Sequence, residues 1–164
     1  MKNNSTFFEK NVTIFFFFLM FSTTIFSQNG CKATLVVEKN NNISTINKGS
    51  IYYPLVLTNT GNQSDSFSVS AININGSCNN NDQSDSSLNV NLSFSFLDKN
   101  LTPINTPITL SANESILFYA KVDKPISTNV KRWNCTRIEA QSSNCSNYKT
   151  QTDVQTFVLD PNED

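Results

Sequence analysis

The stretch Leu88-Asn-Val-Asn-Leu-Ser-Phe-Ser-Phe96 decides the fold class. Leu88, Val90, Leu92, Phe94 and Phe96 fall on one side, and Asn and Ser fill the other. Side chains of an extended chain point alternately to opposite faces, so this period of two marks a strand with one face on a core and one in water. The same alternation recurs on both sides of it. Ile51 to Thr58 places Tyr53, Leu55 and Leu57 together, and Asp65 to Ile72 sets Phe67, Val69 and Ala71 against Ser66, Ser68 and Ser70. Downstream, Ile116, Phe118, Ala120 and Val122 share a face, as do Thr136, Ile138 and Ala140 within Trp133 to Ser142. Ala33 to Glu38, Ile108 to Leu110 and Val154 to Leu159 complete the set of expected strands. No segment carries a helical period.

The breaks between these runs are turn chemistry. Asn40 to Asn42, Asn59-Thr60-Gly61, Asp98-Lys99-Asn100 and Ser111 to Ser115 interrupt the pattern, and Gly61 is expected to supply a positive φ. Asn73 to Ser87 is polar and holds Gly76 and Cys78, which predicts a long loop. Pro54 conflicts with its strand, because proline has no N–H for a ladder; a bulge or an open edge is expected there. Seven to eight short strands with frequent turns predict an all-β, antiparallel β-sandwich. Burying each of the large inward side chains contributes about 1.5–3 kcal/mol, enough together to close a core.

Composition agrees and excludes several functions. Charged residues make up 15% of the 164, and the formal net charge is -1, so there is no basic footprint for nucleic acid. The chain has no His, which removes the commonest general base and metal ligand. With four glycines there is no phosphate-cradling loop, and no cofactor motif is present. The acidic residues sit in turns and tails rather than in pairs suited to glycoside chemistry. The chain is expected not to be an enzyme.

At the N-terminus, Lys2 and Lys10 flank a polar start. Val12 to Phe26 is then strongly apolar, with four phenylalanines at Phe15 to Phe18, and Ser27-Gln28 follows. This order predicts a signal peptide over 1–27, a mature domain over 28–160 and a short acidic tail over 161–164. The apolar stretch is 15 residues long, short of the roughly twenty a spanning helix needs. Cleavage would leave 10 basic and 12 acidic residues, since Lys2, Lys10 and Glu9 are lost, and no membrane span. Cys31 follows closely, but Gln28 stands where a lipid-attachment signal wants an apolar residue. Gln28 after Phe26-Ser27 resembles the start of exported proteins of Flavobacterium-type bacteria. Cys31, Cys78, Cys135 and Cys145 all lie beyond the cleavage point, and an even count in an exported chain reads as two disulfides.

Leu57-Thr58-Asn59-Thr60-Gly61 followed by Asp65-Ser66-Phe67-Ser68-Val69-Ser70 resembles the strand B to strand C region of bacterial immunoglobulin-like modules. These are the fibronectin type III-like sandwiches and cell-adhesion-related domains of envelope and secreted proteins. Asn134-Cys135-Thr136 with Ala140 and Ser142 is similar to their strand F, and Asp98-Lys99-Asn100 to their hairpin turn. The resemblance spans most of Ile51 to Leu159. It implies a spacer, adhesion or accessory unit and supplies no catalytic residues. The antibody-type bridge between strands B and F is missing, because Ile51 to Thr58 contains no cysteine. The family's topology runs strands C and F antiparallel in one sheet, which implies Cys78 with Cys135 and Cys31 with Cys145, two other pairings remaining open. Cys135 shares a face with Trp133 and Arg137, so it is expected to point away from the core toward a loop.

Candidate recognition residues are few. Trp133 and Tyr119, with Tyr52 and Tyr148, have the chemistry of an aromatic platform for sugar or protein. Asp82 and Asp85 lie in the long loop and, with Asp65 and Asp98, are the oxygen ligands a Ca²⁺ site would draw on; scattered Asp in Asn/Ser-rich loops is usually only solvated, and no metal is expected. Zinc would want closely spaced cysteine pairs or His. Asn91, Asn100 and Asn113 head Asn-x-Ser/Thr triplets, which matter only in a eukaryotic source. The expected function is a secreted module for adhesion or for binding a protein or glycan at the cell surface, with an envelope or periplasmic location as a variant. The alternative is a structural envelope protein that assembles through its edge strands.

Overall fold

The structure, a computed structural model, describes residues 30–162. The expected signal peptide, its cleavage site and the last two residues of the acidic tail lie outside the described residues. What is described is an all-β, immunoglobulin-like sandwich of nine strands: β1 (Ala33–Val37), β2 (Ile43–Ile46), β3 (Ser50–Asn59), β4 (Asp65–Asn73), β5 (Ser93–Leu97), β6 (Ile108–Leu110), β7 (Ser115–Asp123), β8 (Arg132–Ser142) and β9 (Lys149–Val158). One sheet has the order β1-β3-β7-β5 and the other β2-β9-β8-β4-β6.

The inward faces are the alternating sets of the sequence. Tyr53, Leu55 and Leu57 from β3 and Phe118, Ala120 and Val122 from β7 meet Phe67, Ile138, Ala140, Val154 and Val158 from the opposite sheet. Each is buried because its strand turns every second residue toward the same interior. Tyr53 spans the layers: its hydroxyl donates to the Gln155 carbonyl at 2.7 Å and lies 2.9 Å from Thr156 Oγ1.

Four expectations change. The strand of Leu88 to Phe96 shrinks to Ser93–Leu97, while Ser86–Leu88 forms a 3-10 turn and Leu88 is 51% exposed. The Val90 N–H bonds the Trp133 carbonyl, and Val90 O accepts from Asn75 and Asn134, so this part of the chain is still held to the β8 sheet. The ladder begins only where β7 comes alongside, at Ser93 opposite Asp123. Leu92 is buried all the same, because alternation reports which way a side chain faces and not whether a neighbour is hydrogen-bonded.

The second change is the strand count. β2, whose sequence follows the Asn-rich turn, pairs in parallel with β9, so its sheet is mixed rather than wholly antiparallel. β9 also starts earlier than expected, at Lys149, where it pairs with Gln141. Third, the positive φ expected at Gly61 falls at Gly49 (φ 74°). Gly61 instead uses its N–H on the Asn59 side-chain oxygen and the Lys32 carbonyl. Fourth, the expected aromatic set is divided between the two sheets, Tyr52 and Tyr119 on one and Trp133 and Tyr148 toward the other. Pro54 is accommodated as an open edge: the β1 pairing stops at Val37 opposite Leu55, one residue short of it.

Two disulfides clamp the ends, Cys31 to Cys145 and Cys78 to Cys135. The first ties the segment before β1 to the turn between β8 and β9, where the Tyr148 hydroxyl also holds both the N–H and the carbonyl of Ala33. The second pins the loop after β4 to the start of β8.

Candidate functional site

The β4–β5 connection folds back over the outer face of β8 and makes the most elaborate polar structure among the described residues. Asn is frequent there because its amide both donates and accepts, and so substitutes for missing ladder partners. Asn75 donates to Val90 O and Asn91 Oδ1 and accepts from the Cys135 N–H at 2.8 Å. Asn80 and Asn89 exchange side-chain hydrogen bonds, each 2.8 Å. Gln155 of β9 reaches across to Asn79 and Asn81. Beneath the loop, Asn134 donates to Asn73 Oδ1 at 2.6 Å and Val90 O at 2.8 Å, and accepts from Thr136. Cys135 points outward from the sheet, as its parity requires, yet it is fully covered by this loop.

Beside the loop lies a hollow of about 150 Å³, lined chiefly by Asp82, Asp85, Lys131, Arg132, Trp133 and Phe157. Trp133 is 8% exposed and its ring lies 5.1 Å from that of Phe157, its partner across β9. Its indole N–H is buried and completes no hydrogen bond of normal geometry. It nevertheless sits near enough to the Asp82 carboxylate to hold that group below its ordinary pKa, together with Ser84. The Ser84 N–H donates to Asp82 Oδ1 at 3.0 Å, and the Ser87 N–H to Asp85 Oδ1 at 2.9 Å. That backbone bond, with the Ser87 side chain, likewise lowers the Asp85 pKa. Both carboxylates are therefore ionised at neutral pH, beside two basic side chains.

Three of the sequence candidates, Trp133, Asp82 and Asp85, meet at this hollow. Tyr119 does not. It stands on β7 with Tyr52 of β3, in edge-to-face contact at 6.4 Å on the outer face of the other sheet. Tyr148 is spent on Ala33. The expected four-ring platform is thus not assembled, because β8 and β7 belong to different sheets whose outer faces point apart. Lys131, Arg132 and Phe157 were missed as site residues. The first two adjoin Trp133 in sequence, which was a usable signal; Phe157 needed the β8–β9 register.

Asp65 and Asp98 are also apart from the hollow. Asp65 is buried and accepts from Ser142 Oγ and the Ser66 and Asn144 N–H groups, while Asp98 caps its turn through the Asn100 and Thr102 N–H groups. Among the described residues, no three Cys, Asp or Glu side chains converge on a point that would hold a metal ion. No helix among them is long and apolar enough to cross a membrane.

No protein-family model matches the chain, and no curated protein sequence matches it. Several solved structures align with it. A family 123 glycoside hydrolase from Clostridium perfringens aligns with a TM-score of 0.50 and 13% identity over 79% of this chain and 27% of the enzyme. The chain thus spans about a quarter of that protein's length. A FixG-related protein from Vibrio parahaemolyticus aligns at TM-score 0.47 and 7% identity, over 78% of this chain and 95% of that one. The chaperone DraB of E. coli aligns at 0.47 and 12%, over 80% and 56%. At 13% identity the likeness to the first of these is one of fold alone.

Proposed function

We propose that this chain is an exported, non-enzymatic immunoglobulin-like module that binds a protein or glycan at the cell surface through the hollow around Trp133. The observation that carries this reading is the buried Trp133 N–H without a completed hydrogen bond, set between ionised Asp82 and Asp85 and the cations of Lys131 and Arg132. A tryptophan edge beside two carboxylates and two basic side chains suits a ligand that offers one small apolar face and several hydroxyl or amide groups. The hollow is smaller than the roughly 300–1,000 Å³ of drug-sized sites, which favours one sugar ring or one side chain as the anchor. Two disulfides support passage through an oxidising compartment. The absence of His removes the commonest general base, and several carboxylates are held in turns or in ion pairs. Assembly through edge strands is less favoured: β1, β5, β2 and β6 have only 5, 5, 4 and 3 residues.

The test uses the oxidised protein on an array of immobilised glycans and cell-surface proteins. Trp133→Phe keeps a ring but removes the donor, and Asp82→Asn removes the charge. Each should weaken binding about tenfold or more, the worth of one good hydrogen bond to a charged or buried group. Unchanged binding in both variants rejects the site.

A further inference from the structure

The two outer faces of the sandwich differ in their share of charged and polar side chains. On the five-stranded sheet, the outward residues include Ser66, Ser68 and Ser70, the Arg137–Asp153 pair at 2.8 Å and the Lys149–Glu139 pair at 2.9 Å. That surface is mostly polar and charged, although Ile43 and Ile72 are exposed on it. On the four-stranded sheet, cross-strand register lines up Val36, Val56 and Leu117 in one row and Pro54, Tyr119 and Leu97 in the next. Tyr52 extends the second row's aromatic contact, while Leu97 at the β5 end of that row is itself buried and bridges to Pro103. Val36 is 47% and Tyr52 46% exposed, while Pro54, Val56, Leu117 and Tyr119 are half-buried.

We propose that this outer face of the four-stranded sheet is a self-association surface, through which two copies of the chain pack sheet against sheet. Three observations favour a second copy as the occupant. First, the charged groups outward on the strands of this face are Lys121 and Asp123, joined at 3.0 Å, so the face carries no net charge to repel its own image or attract a charged partner. Second, a two-fold axis running across the strands between the two rows sets the aliphatic row of each copy against the ring-bearing row of the other, the self-complementarity an isologous contact requires. Third, the area fits. Strands of 5, 10, 9 and 5 residues, at about 3.4 Å per residue and about 4.8 Å between strands, give a flat footprint of about 470 Å² per copy. Two such faces, before the relief of side chains is added, approach the roughly 1,000 Å² at which specific interfaces begin. Tyr52 and Tyr119 are its anchors.

Sedimentation of the oxidised full chain over a range from about 10 µM to about 1 mM tests this. A concentration-dependent monomer–dimer equilibrium is expected. Val56→Lys and Leu117→Lys should each weaken it about tenfold or more by burying an uncompensated charge. Ser68→Lys, on the opposite outer face, should leave it unchanged. Circular dichroism verifies folding, and Tyr52→Lys serves if either central variant fails to fold. A strict monomer across the whole range overturns the proposal. So does a dimer equally strong in the face variants, which would mean that copies join elsewhere, as by edge-strand pairing.

Discussion

Tyr53 offers a quantitative check on how the two sheets are joined. It is 1% exposed, sits on β3 and hydrogen-bonds two neighbouring residues of β9. Burial pushes its pKa up to about 12 from 10.0, against the smaller opposing effect of its hydrogen bonds. Above pH 10 the unfolded chain gives up this proton while the folded chain keeps it. The folded state then holds more protons than the unfolded one, so stability falls as pH rises. The contribution is complete below pH 10 and is lost between 10 and about 12. At 1.36 kcal/mol per pH unit the full loss is about 2–3 kcal/mol. Tyr53→Phe removes the titrating group and leaves the Gln155 carbonyl and Thr156 hydroxyl short of a partner. It should therefore cost about 1–3 kcal/mol at neutral pH and remove that share of the alkaline slope. Urea unfolding, followed by Trp133 fluorescence between pH 7 and 11.5 (roughly the window set by the linkage), measures both effects. Parallel alkaline slopes in the two proteins, or a variant as stable as the parent at pH 7, would refute the reasoning.

Replacing Cys31 and Cys145 by Ser opens a loop closed over a separation of 114 residues, and replacing Cys78 and Cys135 opens one of 57. Chain entropy sets an upper value of about 4–5 kcal/mol for either loss. Urea midpoints should fall in both variants, but only the second should loosen the loop over Trp133, seen as faster fluorescence quenching by acrylamide. Asn134→Ala removes one of the two side-chain donors to the Val90 carbonyl and its bonds to Asn73 and Thr136, which keep one another, at a cost of about 1–2 kcal/mol. Amide exchange around Val90 should accelerate more than exchange in β3 and β7.

The hollow and the two outer faces carry the functional argument, and they were legible to different degrees. Asp82, Asp85 and Trp133 stood out by residue type, since charged groups and a lone Trp are conspicuous in an Asn/Ser/Thr-rich chain. That Tyr119 belongs to another surface could not be read from type. Two outward residues on strands 14 positions apart in sequence share a face only if their strands share a sheet.

Alternation by itself determined which residues go inside: Tyr53, Leu55 and Leu57, Phe118, Ala120 and Val122, and Ile138 and Ala140 are inward as their spacing requires. A pleated backbone sends every second side chain to one side whatever its neighbours are, so this information is local. The even cysteine count was local in the same sense. Pairing is not. Whether Val90 joins a ladder, that β2 runs parallel to β9, and that Val36, Val56 and Leu117 form one row depend on which strands lie adjacent. Only the tertiary structure decides that, because hydrogen bonds between strands are made by backbone groups that are the same at nearly every residue.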